Sequence, residues 1–187
     1  MNEILWYVSR ATGTVSMVLL TVVLVLGMVM SGRRRPAALS SAVITGLHRS
    51  LALGLVAFLG AHVATAIAET YVDIDWIAAI VPFTSGYEPL FVGLGTIAVD
   101  LIVALVVTSL LRHRLPERAW RTVHLAAYAL WPIALAHGWF LGTADQPLLR
   151  GVTVLCGAAG VAAIVWRLSA TPAQTRLPRQ IAREEWT

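Results

Sequence analysis

Long apolar runs separated by short polar stretches dominate this chain. Five of these runs are about as long as a bilayer-spanning helix, which needs about 20 predominantly apolar residues. We therefore predict an all-α integral membrane helical bundle with about five transmembrane helices. Their predicted ranges are 11–30, 45–68, 90–111, 120–141 and 149–167.

The polar stretches between the runs alternate in charge. Those after the first and third runs are rich in arginine, whereas those after the second and fourth carry acidic residues and no lysine or arginine. The positive-inside rule then predicts a multi-pass cell-membrane protein with its amino terminus outside and its carboxyl terminus in the cytoplasm. We expect residues 1–168 to form the membrane domain and residues 169–187 to form a disordered cytoplasmic tail.

Composition supports a membrane protein and limits the other possibilities. Of the 187 residues, 58% are hydrophobic and 13% are charged, and the mean hydropathy of +0.75 is too high for a soluble domain. The net charge of +4 therefore indicates membrane orientation and not nucleic-acid binding. The single cysteine, Cys156, excludes an internal disulfide. The sequence also has no CxxCH motif for covalently attached haem and no GxGxxG nucleotide-binding motif.

Two of the apolar runs carry histidines at matched spacing. His48 and His62 lie fourteen residues apart in the second run, and His124 and His137 lie thirteen apart in the fourth. At a rise of about 1.5 Å per residue each interval spans about 20 Å, which leaves one histidine near each face of the bilayer core. The predicted topology puts His48 with His124 near the cytoplasmic face and His62 with His137 near the outer face.

Ionisable side chains at membrane depth are costly and are usually functional. Structural zinc normally requires four protein ligands, and no cysteine, carboxylate or third histidine completes a set at either depth. A haem iron already has four porphyrin nitrogens and needs only two axial ligands, which two facing imidazoles supply. Such an iron has no open position, so the pattern predicts electron transfer. We assign His48 and His124 to an inner haem iron and His62 and His137 to an outer one.

The helical phase of the fourth run raises a geometric problem. An ideal helix turns about 100° per residue, so fourteen residues return to nearly the same face, whereas thirteen residues leave His124 and His137 pointing apart. Pro132 lies between these two histidines and removes one helical hydrogen bond. We therefore predict a kink or a wide turn near Trp131 and Pro132 that turns His137 back toward the second helix.

Three motifs accompany the histidine spacings H-x13-H and H-x12-H. They are RAWRTVH at 118–124, WYVSRATG at 6–13 and PFTSGYEPLFVGLG at 82–95. Together these features resemble the ferric reductase-like transmembrane domain, in its small actinobacterial form. This membrane module is shared by ferric reductases, NADPH oxidases and the membrane subunit of bacterial methionine sulfoxide reductase. The resemblance implies two b-type haems between the second and fourth helices and electron flow from inside to outside.

Three arginines are candidate partners for the anionic propionates of the haems. Arg49 and Arg121 lie beside the inner histidines, and Arg10 lies at the outer end. Snorkelling or a role in topology explains all three equally well. Asp100 is the one carboxylate at full membrane depth, with three possible roles: a hydrogen bond to a haem ligand, a place in a quinol site, or a bond to a helix backbone. We expect His113 to be solvated.

The predicted function is transmembrane electron transfer. The predicted donor is a cytoplasmic flavoprotein or a membrane quinol, and the predicted acceptor is an extracytoplasmic flavin-binding protein or a ferric chelate. The chain would be an oxidoreductase component without its own flavin or NADPH domain, surrounded by membrane lipid and without a nucleic-acid partner. Two alternatives stay open: a small transporter or metal- or proton-binding protein that uses the same histidines and Asp100, and a structural subunit of a larger complex.

Overall fold

A computed structural model describes residues 3–31, 40–70, 72, 74–142 and 146–169. These residues form six α-helices and two 3₁₀ turns, and they contain no β-strand. The α-helices are α1 (Glu3–Ser31), α2 (Ser41–Ala68), α3 (Pro89–Leu110), α4 (Glu117–Leu125), α5 (Ala127–Leu141) and α6 (Pro147–Ser169), and the 3₁₀ turns are Trp76–Ala79 and Arg112–Arg114. The arginines at 33–35 and nearly all of the predicted tail, 169–187, lie outside the described residues.

Polar and proline residues mark the starts of three long helices. Ser40 precedes α2, and its hydroxyl accepts a hydrogen bond from the Val43 amide at 3.3 Å. That bond satisfies one of the amides that lack a partner in the first turn of a helix. Pro89 and Pro147 are the first residues of α3 and α6, where the missing amide proton would be unpaired in any case. The predicted ranges start slightly too late at all three helices.

Four helices, α1, α2, α3 and α6, are long and apolar enough to cross a bilayer. They confirm the prediction of a helical membrane bundle. The fourth predicted span, 120–141, is instead divided into α4, with 9 residues, and α5, with 15 residues. Neither has the length of a transmembrane helix by itself.

The interruption between the two shorter helices lies at Ala126, and not near Trp131 and Pro132 as predicted. The Ala126 amide bonds to the Val123 carbonyl oxygen at 2.9 Å, a tightened turn of the 3₁₀ type. Pro132 lies inside α5, which continues past it. Its neighbours Leu130 and Trp131 are 1% and 4% exposed. We infer that tight packing holds the helix together at the proline, so that the chain bends where it is less confined.

α1 lies at the centre of the bundle and packs against α2, α5 and α6. Its Thr21 hydroxyl accepts a hydrogen bond from the Trp131 indole nitrogen at 3.1 Å, and both side chains are buried. Gly160 of α6 faces the same indole, and a larger residue there would collide with the ring. α3 packs mainly against α5. A cavity of about 260 Å³ lies between α1, α2, α3 and α5 and extends to the start of α6.

The segment between α2 and α3 covers one end of this cavity. Its 3₁₀ turn buries Ala78, whose carbonyl oxygen accepts a hydrogen bond from the Thr96 hydroxyl of α3 at 2.6 Å. Trp76 and Ile80 are each 62% exposed. The turn therefore closes the cavity with its inner side and presents apolar side chains on its outer side, as expected of a segment that contacts lipid headgroups.

Candidate functional site

Both histidines of α2 are oriented by backbone carbonyls of α1. The Nδ1 atom of His48 lies 3.1 Å from the Val23 carbonyl oxygen, and that of His62 lies 2.8 Å from the Ser9 carbonyl oxygen. A carbonyl only accepts hydrogen bonds, so Nδ1 carries the proton in each neutral ring and Nε2 keeps its lone pair. Histidines that bind a metal commonly donate their other ring proton in this way.

His137 of α5 shows the same arrangement with a different helix. Its Nδ1 atom lies 2.8 Å from the Phe91 carbonyl oxygen of α3. The ring centroids of His62 and His137 are 6.2 Å apart, with 80° between the ring planes. Two imidazoles on opposite sides of one metal ion, with metal–nitrogen bonds of about 2 Å, have centroids about 6 Å apart. The His62–His137 pair therefore has the separation expected of two axial ligands.

Two glycines leave room for the rings of this pair. A side chain at Gly13 of α1 would put its Cβ atom 2.9 Å from the His62 ring. A side chain at Gly95 of α3 would collide with the His137 ring. Both glycines lie in motifs quoted from the sequence, where neither had an assigned role. Their role becomes visible only when α1 and α3 are known to lie beside the histidines.

The His62–His137 pair lies in the cavity between the helices. Most of the cavity wall is apolar, and the charged side chains that line it are Arg10, Glu69 and Arg150. Such a pocket is suited to a large, mostly apolar group that carries a few charged substituents.

The second predicted pair, His48–His124, is less constrained. His124 of α4 stacks on Trp120, with ring centroids 4.6 Å apart and 25° between the planes. Its Nδ1 atom is buried and has no hydrogen-bond partner. His48 and Arg112 lie close enough to His124 to interact with it electrostatically. Of the two predicted ligands, only His48 is oriented by a carbonyl.

The three arginines named from the sequence lie in different surroundings. Arg10 lines the cavity, and its guanidinium donates a hydrogen bond to the Leu141 carbonyl oxygen at 3.2 Å. Arg121 forms an ion pair with Glu117 at 2.8 Å, and its side chain is 70% exposed. Arg49 is exposed. Arg10 therefore lines the same cavity as the His62–His137 pair, and the roles of all three arginines as propionate partners stay predictions.

Sequence reasoning missed two other arginines near the histidines. The guanidinium carbon of Arg112 lies 4.2 Å from the centroid of the Trp120 ring. Arg150 lines the cavity, and its buried Nε atom has no hydrogen-bond partner. Arg112 lies 12 residues before His124 and Arg150 lies 13 residues after His137, and both are outside the apolar runs that carry these histidines. Their position at the ends of apolar runs was the only signal that could have found them.

Asp100 is exposed on α3. The Nδ1 atoms of His48, His62 and His137 bond to backbone carbonyls, so these ring protons are not available to the Asp100 carboxylate. This arrangement argues against one of its three possible roles, the hydrogen bond to a haem ligand. His113 is exposed in the second 3₁₀ turn, as predicted.

The donor set of the site fits a haem iron better than a zinc ion. Within the described ranges, no three His, Cys, Asp or Glu side chains are grouped so that they could hold a metal ion. Structural zinc normally takes four protein ligands, whereas a haem iron takes two. Two imidazoles with free Nε2 lone pairs and centroids 6.2 Å apart, together with the arginines that line the cavity, agree with the requirements of a haem.

A protein-family model described as "Ferric reductase like transmembrane component" matches residues 12–135. The matched range covers more than half of the chain and contains His48, His62 and His124, while His137 and Arg150 lie after its end. No curated protein and no solved structure gives a significant match.

Proposed function

The chain belongs to the family of ferric reductase-like transmembrane components, and on this premise we propose that it carries electrons across a cell membrane through two b-type haems. Its four span-length apolar helices make it a multi-pass membrane protein. Haem ligation by two pairs of histidines accounts for their matched depth in the sequence and for the cavity around one of the pairs.

The observation that carries the proposal is the geometry of the His62–His137 pair. Their centroid separation of 6.2 Å agrees with two imidazoles that share one metal. Each Nδ1 proton is used by a carbonyl of a neighbouring helix, so each Nε2 atom is left as a ligand. A packing histidine buried in a membrane would be expected to use both ring nitrogens in hydrogen bonds.

The residues of the chain hold and tune the cofactor. A haem iron with two imidazole ligands changes oxidation state by one electron and has no open position for oxygen chemistry. His62 and His137 would ligate one haem, and His48 and His124 the other. Carbonyl acceptors at the Nδ1 atoms of His48, His62 and His137 make these three imidazoles stronger ligands, and the mostly apolar walls around the His62–His137 pair set the local dielectric.

The direction of transfer and the partners follow from the charge pattern. The arginine-rich stretches support a topology in which the His48–His124 pair faces the cytoplasm and the His62–His137 pair faces outward. In this orientation the chain takes electrons from a cytoplasmic flavoprotein or a membrane quinol. It then passes them to an outer acceptor such as a flavin-binding protein or a ferric chelate.

A spectrum of the purified protein tests the proposal. We expect a reduced-minus-oxidised spectrum of low-spin haem b and two haems per chain in a pyridine haemochrome assay. His113→Ala, at an exposed histidine, serves as the control and should change neither the spectrum nor the number of haems per chain. A colourless protein that binds zinc would contradict the proposal and favour the transporter or metal-binding alternative.

The donor is tested with isolated membranes. NADH, a quinol and dithionite are added in turn while the haem bands are recorded. Reduction by quinol alone supports the membrane-quinol route, and reduction by NADH only when cytoplasm is added supports a flavoprotein. Bands that only dithionite reduces would contradict both proposed donors.

A further inference from the structure

Arg150 is a cation that lines the cavity, and its Nε atom has no hydrogen-bond partner among the described residues. It lies in the first turn of α6, and its guanidinium carbon is 5.2 Å from the centroid of the Trp139 ring. Its Nε atom is buried and makes no hydrogen bond. A buried donor without a partner costs free energy, more so when it is charged, and such a group usually binds an ion, a water molecule or a ligand.

Arg10, which also lines the cavity, has a structural task. Its guanidinium stacks on Trp6 at 4.1 Å and donates to the Leu141 carbonyl at the end of α5. A cation at this position caps the last turn of a helix, where carbonyl groups lack partners. Arg10 is thus partly committed to holding α1 against α5, whereas the Arg150 guanidinium binds no backbone carbonyl in the described residues.

Membrane topology does not account for Arg150. Arginine is enriched on the cytoplasmic side, and the charge pattern assigns this end of the bundle to the outside. Glu69 is the acidic residue among the described residues that line the cavity, and it has an interaction partner. Within the described part of the chain no acidic side chain pairs with this guanidinium, which leaves it able to bind an anionic substituent of a bound group.

We propose that Arg150 binds a propionate of the haem held by His62 and His137, together with Arg10, and so forms a two-arginine anchor for that haem. This inference rests on the proposed function. It adds a binding residue that lies after the end of the matched family range. The guanidinium offers Nε and terminal N–H donors in one plane, the geometry that binds a carboxylate in two parallel hydrogen bonds.

Haem release and haem potential test this anchor. Arg150→Gln should speed the transfer of one of the two haems to apomyoglobin by about tenfold or more, because a charge-assisted hydrogen bond is lost. The midpoint potential of the same haem should fall, since a cation near the iron favours the ferrous form. Arg150→Lys, which keeps the charge, should restore most of the potential but not the release rate.

Arg114→Gln is the matched control, because Arg114 is an exposed arginine in the second 3₁₀ turn. It should change neither the release rate nor the potential. The anchor is overturned if Arg150→Gln behaves like this control, or if it alters the haem that remains in His62→Ala. If Arg150→Gln protein does not fold, Arg150→Lys decides alone: wild-type release from this variant overturns the anchor.

Failure of the anchor and failure of the proposed function give different results. Absence of haem from the wild-type protein would overturn the proposed function and the anchor with it. A His62→Ala variant that still binds two haems would do the same. A wild-type protein with two haems, one of them lost in His62→Ala and neither altered by Arg150→Gln, would overturn the anchor alone.

Discussion

The two histidine pairs have nearly the same spacing in sequence but are built differently in the folded chain. At the His62–His137 pair, carbonyls of α1 and α3 fix both imidazoles, and glycines make room for both rings. At the His48–His124 pair, a carbonyl fixes one imidazole, and the other stacks on an indole with its Nδ1 unpaired. The first pair is preorganised by the protein, and the second has freedom to adjust.

The difference comes from the helices that present the second ligand. His137 lies on α5, which is held between α1, α3 and α6. His124 lies on α4, a short helix without a buried residue. A ligand on a packed helix needs little reordering when a cofactor binds, and preorganisation of this kind raises affinity. We therefore expect the haem at the His62–His137 pair to be the more tightly held of the two.

The largest expected effect is the loss of a ligand. His137→Ala should remove one haem and leave the other, so that the pyridine haemochrome assay falls from two haems per chain to one. His124→Ala should remove the other haem, and the remaining spectrum should differ from that of His137→Ala. Loss of both haems, or of neither, in either variant would mean that the two sites are not independent or not ligated as proposed.

A smaller effect is expected when the space beside one ligand, His137, is filled. In Gly95→Ala the new methyl group collides with the His137 ring, and overpacking of this kind costs enough to weaken haem retention by about tenfold. The rate of haem release to apomyoglobin measures this loss of retention. Gly157→Ala is the control, because a methyl group there meets no other atom within 4 Å. Equal release from both variants would show that the space at Gly95 is not needed for the ligand.

A still smaller effect should follow removal of the stacking partner of His124. Trp120→Leu removes an aromatic pair of the kind worth about 0.5–1.5 kcal/mol. The haem that is lost in His124→Ala should therefore be released roughly two- to tenfold faster. The haem lost in His137→Ala should be unaffected. The prediction would be contradicted if Trp120→Leu sped the release of the haem lost in His137→Ala as much as that of the haem lost in His124→Ala.

The smallest expected effect is at Asp100. Its side chain is exposed on α3, and three of the four proposed ligands have carbonyl partners instead. Asp100→Leu should therefore leave haem content and both midpoint potentials unchanged in the purified protein. A shift of either potential would show that the carboxylate acts on a haem, contrary to its position in the structure.

Much of the fold could be predicted from the sequence, because membrane helices are local structures. A run of about 20 apolar residues satisfies its own backbone hydrogen bonds wherever it lies in the bilayer. The four span-length helices follow from this rule. The need for an interruption between His124 and His137 follows instead from the helical phase of their thirteen-residue spacing. The location of the interruption did not follow from the sequence. Loss of a hydrogen bond at Pro132 favours a bend there, whereas tight packing around Trp131 opposes it.

The sequence by itself determined the four histidines, their spacing along the chain and the membrane helices that carry most of them, since these depend on residue type and helical rise. Only the tertiary structure decided which carbonyls orient the rings, which glycines leave space and that Arg150 lies in the cavity while Asp100 is exposed. Those features depend on which helix faces meet, and the faces are chosen by side-chain packing between segments far apart in sequence.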